Sequence, residues 1–330
     1  IRIHDLVVDE ELKPGEGEKV RTLRVVSMVD EPGAAVLDVG SVGVAFVRPL
    51  RRNSYLDLHL PERGSWYQFV DGRDGWLEAA PPDRLEAIAV PVRQLIEQSR
   101  RPVAGAAART QSRRDLVFKM LSAPHPLLVA NGIADLSTIP DLASSLSDRE
   151  VAILTSTLHA ASLPLTTREN LIAEIATLGL RRLVEPLRSI REPALQEPAW
   201  AALRKLGAPV SADEVRQKLT GEEPRTRLAA ARELLARDGD AAIPVVAQTA
   251  LRDRDKQVRL GAIEALGETG SPAAVTPLEG VFATDEIDER QATARALREI
   301  GGDPAADALH RLAFQGSVDA QRYAVLVLMT

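Results

Sequence analysis

One segment recurs along the second half of the chain, and this repetition constrains the fold more than any other feature of the sequence. The segment VRLGAIEALGETGSPAAVTPL (258–278) returns about 31 residues later as ERQATARALREIGGDPAADAL (289–309). An earlier copy, TRLAAARELLARDGDAAIPVV (226–246), lies about 32 residues upstream. Fainter copies extend back to about residue 115. A fixed period of this length is typical of a chain built from stacked supersecondary units.

Each copy has the pattern of two consecutive helices. In the first helix, Val258, Ala262 and Leu266 follow the spacing of one apolar face. Gly270 can end that helix because glycine readily adopts a left-handed backbone, and Pro272 suits the start of the next helix. One such pair cannot bury its apolar face alone, but a stack can. We therefore predict a mainly α fold, in which residues 115–330 form a right-handed α-solenoid of about seven helix pairs.

The first hundred residues have a different periodicity, in which short β-rich runs alternate with turn signals. We predict a small antiparallel β domain at residues 1–98, with a five-stranded sheet or half-barrel and one helix. The Asp71–Gly72 pair is expected to form a hairpin turn between two of the strands. Two alternatives stay open: a bacterial SH3-like barrel, or a sheet whose only role is to cap the first helix of the solenoid.

Residues 99–114 separate these two parts and contain five arginines and no acidic residue. We predict an Arg-rich linker here, with the repeats beginning at residue 115. Clustered positive charge raises the local affinity for anions, but no aromatic residue is interleaved to stack on nucleic-acid bases. A solvated linker is therefore favoured over a contact with phosphate or a membrane surface.

The composition excludes several classes of site. The chain has 330 residues and no cysteine, which rules out disulfides, thiolate metal sites, iron–sulfur clusters and a cysteine nucleophile. Its formal net charge of −6 opposes a whole-chain cationic surface for nucleic acid. No apolar run approaches the roughly 18 residues that indicate a membrane-spanning helix. The compartment stays undetermined, with the periplasm or cell envelope slightly favoured over the cytoplasm.

No arrangement of residues in the sequence indicates catalysis. The five histidines are isolated, and none pairs with another at a spacing of four, so no metal site is predicted. The nucleophile-elbow, P-loop and Rossmann glycine patterns are also absent. We expect a non-enzymatic protein without a cofactor, whose second helices present a concave surface to a partner protein. Register places four residues on that surface: Glu279, Asp307, His310 and Arg311.

The repeats resemble the HEAT family, in particular the short HEAT-like repeats that also occur in phycocyanobilin lyases. Three segments carry this resemblance: VR at Val258–Arg259, ALGETG at 265–270 and AVTPL at 274–278. The resemblance implies a scaffold of stacked helix pairs. It also implies a polar ladder between repeats, to which Asp255 and Arg259 would contribute.

The order of signals in the first part is similar to that of the periplasmic lipoprotein-carrier and lipoprotein-sorting family, over about the first half of that fold. The positions that carry the similarity are Arg48, Pro49, Arg52, Asp71, Gly72, Gly75 and Trp76. The resemblance implies a curved sheet that is plugged by a helix and holds a lipid. The candidates for contact with such an apolar ligand are Trp66, Phe69 and Trp76.

Three functional hypotheses follow from these observations. The leading one is a non-catalytic scaffold for protein–protein interaction that uses the concave face of the repeats. The second is a cell-envelope protein that binds a lipid or lipoprotein through an N-terminal half-barrel. The third is a repeat-type lyase or a HEAT-like DNA-binding enzyme. It is less favoured because no catalytic residues converge and the net charge is acidic.

Overall fold

A computed structural model of the chain describes residues 2–8, 22–27, 37–38, 40–50, 66–70, 75–100, 105–281 and 286–315, with positions 318 and 321. The chain divides into two compact units, Ile1–Glu174 and Ile175–Thr330. Most of the described residues are helical, and the described strands lie near the N terminus. The predicted combination of a helical repeat array and a small β part is therefore confirmed.

The strands of the first unit are short and form two sheets. Their bounds are β1 (Arg2–Val7), β2 (Thr22–Ser27), β3 (Gly43–Ala45), β4 (Val47–Pro49), β5 (Trp66–Phe69) and β6 (Trp76–Glu78). One sheet has the order β1–β2–β5–β4, in which β1 and β2 pair antiparallel, β4 and β5 pair antiparallel, and β2 and β5 pair parallel. In the other sheet β3 and β6 pair antiparallel.

This arrangement differs from the predicted single five-stranded antiparallel sheet. The described strands form two sheets, and β2 runs parallel to β5, with Arg24 opposite Trp66. A tight turn cannot join parallel neighbours, and these two are connected through residues 28–65. Alternation of apolar and polar residues identifies a strand in the sequence, but it does not identify the partner of that strand.

Strands β5 and β6, which flank the predicted hairpin turn at Asp71–Gly72, are not paired with each other, and the turn itself lies outside the described residues. Strand β5 pairs antiparallel with β4, and β6 pairs antiparallel with β3. Strands β3 and β4 are separated only by Phe46, which donates its amide to the Gly75 carbonyl (2.7 Å) and accepts from the Val70 amide (2.9 Å). Because β5 and β6 run antiparallel to the same segment, they run in one direction and are not the arms of a hairpin.

Six helices begin within the first unit, counting the described residues only. Their bounds are α1 (Leu85–Arg100), α2 (Ala106–Leu121), α3 (Pro126–Asp135), α4 (Leu142–Ser145), α5 (Asp148–His159) and α6 (Leu165–Thr177), the last of which extends into the second unit. Most of the predicted linker at 99–114 is thus helical, since residues 99–100 end α1 and residues 106–114 begin α2. Alanine and arginine are good helix formers, which the linker prediction underweighted.

The two-stranded sheet shares a core with the helices that follow it. Val44 of β3 and Leu77 of β6 belong to one buried cluster with Ile88 and Val92 of α1 and Leu128 of α3. This packing is what we expect of a sheet that caps the first helices. The domain boundaries at 98 and 115 stay a prediction, although this core includes residues from both sides of them.

The second unit consists of helix pairs. Its helices are α7 (Val184–Arg188), α8 (Pro193–Lys205), α9 (Ala212–Lys218), α10 (Pro224–Asp238), α11 (Ile243–Thr249), α12 (Lys256–Glu268), α13 (Val275–Val281), α14 (Ile287–Ile300) and α15 (Gly302–Gln315). A glycine with φ between 56° and 71° follows the first helix of each of these pairs, as predicted. Glycine suits this position because a side chain would strain the left-handed backbone. These glycines are Gly179, Gly207, Gly239, Gly270 and Gly301.

The first helices of successive pairs pack directly on one another: α8 contacts α10, α10 contacts α12, and α12 contacts α14. A Cβ atom at Gly267 would lie 2.8 Å from the Cα and Cβ atoms of Ala296. A Cβ atom at Gly261 would lie 2.5 Å from a methyl carbon of Leu228. Small residues at these contacts therefore set the spacing of an α-solenoid.

Candidate functional site

The repeats of the second unit share a polar position on the first helix. It lies four residues after the helix N-cap, and its occupants are Gln196 of α8, Arg227 of α10, Arg259 of α12 and Arg290 of α14. Gln196, Arg227 and Arg290 are buried, with 4–6% of each residue exposed. A charged group is buried in a protein interior only when its hydrogen bonds are made there, so this position must be satisfied by its surroundings.

Arg227 shows how the position is satisfied. Its Nη1 atom donates to the carbonyls of Gly221 (2.9 Å) and Glu222 (2.7 Å), in the segment that leads into α10. Its Nε and Nη2 atoms form a bidentate pair with the two carboxylate oxygens of Asp253, at 2.6 and 2.7 Å. The arginine thus fixes the start of its own helix to the segment that precedes the next repeat.

Arg259 repeats this arrangement one unit further along. Its Nη1 atom donates to the carbonyls of Asp253 (2.8 Å) and Arg254 (3.4 Å), which are again the residues six and five positions earlier. Its Nε and Nη2 atoms contact Oε1 of Glu289 on α14, at 2.8 and 2.7 Å. The two arginines therefore form a polar ladder between successive repeats.

The ladder does not use the acid that the sequence suggested. Asp255 is the N-cap of α12, and its carboxylate accepts from the amides of Gln257 (2.8 Å) and Val258 (3.4 Å). The acids that face the ladder arginines are Asp253 and Glu289. An N-cap carboxylate is occupied by its own helix, which leaves it unsuited to reach across to another repeat.

Burial and pairing with Arg227 shift the pKa of the Asp253 carboxylate. The side chains of Arg227 and Asp253 are only 5% and 8% exposed. Burial raises the pKa of Asp253, but hydrogen bonds from Arg227 and from the Asp255 amide more than offset this and hold the pKa below its ordinary value. Arg227 stays protonated because the same pair raises its pKa. The Arg227–Asp253 pair is therefore ionised across the physiological pH range.

A comparable ion pair lies among the described residues of the first unit. Arg114 of α2 donates from Nε and Nη2 to the two carboxylate oxygens of Glu150 on α5, at 2.6 and 2.7 Å. Glu150 also accepts from the amide and hydroxyl of Ser147, as part of the capping box of α5. Burial raises the pKa of Glu150, but Arg114 and Ser147 outweigh it and lower the pKa to about 2. These arginines and acids hold helices in place.

The predicted surface residues lie on two second helices, and the structure brings two of them together. Arg311 of α15 donates to Oε1 of Glu279 on α13, at 3.0 Å from Nε and 2.7 Å from Nη2. His310 stacks on Phe314, with ring centroids 6.2 Å apart and planes 5° apart. Asp307 is exposed on the same helix. We name the four predicted residues together with Phe314, which is 78% exposed, the second-helix surface.

The predicted apolar-ligand residues lie on the sheets of the first unit. Phe69 is buried against Val25, and Trp76 packs on the same cluster. The indole Nε1 of Trp76 is buried and has no hydrogen-bond partner among the residues that the structure describes. Of Trp66 the structure describes the backbone in β5. Phe69 and Trp76 thus pack against other protein side chains. A contact between these residues and a lipid stays a prediction.

Within the described residues, no group of three or more histidine, aspartate or glutamate side chains is placed to hold a metal ion. Among the same residues, no helix has the length and apolar character needed to cross a membrane.

Sequence reasoning did not find the Arg227–Asp253 pair, nor that Gln196 occupies the ladder position in α8. The signal was available, because an arginine recurs four residues after each helix start at Arg227, Arg259 and Arg290. Aligning the described repeats of the second unit on their N-cap residues, instead of on their glycines, reveals this position. The same alignment shows that α8 has a glutamine there in place of an arginine.

Comparison with known proteins identifies the repeats. Residues 212–298 and 252–328 match the family of HEAT repeats. No curated protein matches the chain. Among solved structures, the chain is similar to human deoxyhypusine hydroxylase in complex with glycerol, at 18% identity and a TM-score of 0.32, covering 76% of this chain and 97% of that one.

Proposed function

We propose that the protein is a non-catalytic scaffold that binds a partner protein through the second-helix surface. The observation that carries this proposal is the ion pair between Glu279 and Arg311, which links the second helices of two neighbouring HEAT repeats. Stacked repeats bury their apolar faces in one another and leave extended surfaces for recognition.

The chemistry of the second-helix surface supports binding. It combines an exposed aromatic ring, Phe314, with a mixture of cationic and anionic side chains. Aromatic residues and arginine are enriched at the centres of protein interfaces. Arg311 is half exposed, and Glu279 uses one carboxylate oxygen for it, so both keep hydrogen-bonding capacity for a partner.

The test is a pair of charge variants measured against a partner captured on the tagged chain and identified by mass spectrometry. Arg311→Glu reverses one charge and places two carboxylates together. Glu279→Arg with Arg311→Glu exchanges the two charges and preserves an ion pair within the protein. We expect each to weaken partner binding by about tenfold or more, because reversed charges at an interface repel the complementary groups of the partner.

Arg295→Glu is the matched control. Arg295 is also exposed, but it lies on α14, the first helix of the same repeat. We expect this variant to bind the partner as the parent chain does. Equal binding by all variants, or an equal loss in the control, would contradict the proposal, provided that the thermal melting temperatures are unchanged.

A further inference from the structure

One buried position on the first helices α8, α10, α12 and α14 holds a glutamate in one repeat and an alanine in the others. It lies ten residues after the N-cap, and its occupants in chain order are Ala202, Glu233, Ala265 and Ala296. All of them are buried, with 2–4% of each residue exposed. Small residues suit a position where helices pack directly on one another, so the buried carboxylate of Glu233 needs an explanation.

The residue that meets this position comes from the preceding first helix. Between α12 and α14 it is Gly267, on which a Cβ atom would lie 2.8 Å from the Cα atom of Ala296. The equivalent of Gly267 in α8, twelve residues after the N-cap, is Arg204. Its Nη1 atom forms an ion pair with Oε2 of Glu233. The same contact is therefore a close backbone approach between α12 and α14, but an ion pair between α8 and α10.

This ion pair satisfies the Glu233 carboxylate only in part. The side chain of Glu233 is 3% exposed, whereas that of Arg204 is 34% exposed. The second carboxylate oxygen of Glu233, Oε1, is buried and has no hydrogen-bond partner among the described residues. Asp253 in the ladder differs, because each of its two oxygens accepts from Arg227. An unpartnered carboxylate oxygen raises the free energy of the packed helices, and separating them would let water reach it.

We propose that the contact between α8 and α10, which we name the Glu233 joint, is a place where the stack of repeats opens locally. Opening there hydrates the Glu233 carboxylate, whereas opening at the contact of Gly267 with Ala296 hydrates no carboxylate at this position. Segments of low local stability are the ones that move in conformational changes. The Glu233 joint thus gives the second unit a defined point of adjustment, and this inference does not depend on the second-helix surface.

A purely structural role for the ion pair makes the opposite prediction. If the pair only holds α8 against α10, removing the Glu233 side chain should loosen the contact. If the buried carboxylate limits the packing, Glu233→Ala restores the residue found in the other repeats and should tighten the contact. Arg204 is not left as a buried charge in this variant, because a third of its side chain already reaches solvent.

The test is native-state hydrogen exchange of the whole chain, followed by mass spectrometry of its peptides. We expect Glu233→Ala to slow amide exchange in α8 and α10 by about fivefold or more, with no change in α14. Arg204→Leu leaves the carboxylate buried without a cation, so it should speed exchange in α8 and α10 by about tenfold or more. Unchanged or faster exchange in Glu233→Ala would overturn the proposal.

A double variant and a control complete the test. Arg204→Leu combined with Glu233→Ala reproduces Leu235 and Ala265, which occupy the equivalent positions one repeat further along. This double variant should exchange as slowly as Glu233→Ala, and exchange as fast as in Arg204→Leu, or failure to fold, would contradict the joint. Glu268→Ala removes an exposed acid from α12 and should leave exchange in α8 and α10 unchanged. Equal slowing by this control would assign the effect to helix propensity instead of the buried carboxylate.

Discussion

Both units use an arginine–carboxylate pair to hold together helices that are distant in the sequence, but the local structure that positions this pair differs between them. In the second unit, Arg227 and Arg259 occupy one repeat position, and each bonds both its own incoming backbone and an acid further along. In the first unit, Arg114 meets Glu150, a carboxylate already held by the N-cap of its own helix. The comparison shows that a repeat can reuse a buried ion pair because its backbone acceptors recur, whereas the pair in the first unit depends on one local cap.

The largest expected effect comes from breaking the more buried pair. Arg227→Ala leaves Asp253 buried without its cation, which should lower the free energy of unfolding by about 3–5 kcal/mol. Urea denaturation followed by circular dichroism measures this loss. Arg225→Ala, an exposed neighbour on the same helix, is the control and should change stability by less than about 0.5 kcal/mol.

A double variant sharpens that result. Adding Asp253→Asn to Arg227→Ala removes the unpaired charge, so it should recover part of the lost stability. If the double variant were less stable than Arg227→Ala by the full cost of a second independent mutation, the two side chains would not be coupled.

The pair in the first unit should show its contribution through pH. The folded pKa of Glu150, about 2, lies below the unfolded value of 4.5, so its ionisation stabilises the protein above pH 4.5 and is lost as pH falls toward 2. Glu150→Gln should therefore cost about 1–3 kcal/mol at neutral pH, after allowance for solvent screening. The difference between parent and variant should shrink in urea titrations between pH 4.5 and 2. A constant difference would show that the loss is one of packing and not of charge.

The two units also differ in how far their sequences predict them. The helix pairs were predictable because period, apolar spacing and glycines such as Gly270 all act within one repeat. The sheets were predicted only as strands, since the parallel pairing of β2 with β5 depends on residues far apart in the chain.

The candidate sites were predictable to a similar extent. Register placed Glu279 and Arg311 on the second helices of consecutive repeats, where α13 and α15 lie, and their use by a partner stays a prediction. The ladder contacts of Arg227 and Arg259 were not found. The acids that they bind, Asp253 and Glu289, lie 26 and 30 residues further along the chain, and only the structure shows which acid faces each arginine.

The contact between α12 and α14 offers a smaller effect. Gly267→Ala places a Cβ atom 2.8 Å from the backbone of Ala296, which should cost about 1–2 kcal/mol after the gain in helix propensity is counted. Gly280→Ala, in α13 with nothing within 4 Å, should be neutral or stabilising by up to about 1 kcal/mol. Equal effects of the two substitutions in thermal or urea unfolding would show that α12 and α14 adjust freely and that Gly267 does not set their spacing.

The smallest expected effect on the free energy of unfolding is that of Arg311→Gln, and it distinguishes the second-helix surface from the ladder. Arg311→Gln removes an ion pair whose arginine is 51% exposed, and water can replace its hydrogen bonds. Exposed pairs contribute little, so this variant should change the free energy of unfolding by no more than about 1 kcal/mol, well below the effect of Arg227→Ala. Urea denaturation at low and high salt measures the difference, and added salt should reduce it further. A loss comparable to that of Arg227→Ala would mean that Arg311 supports the fold in the way the ladder arginines do, and it could then not serve as a freely available contact for a partner.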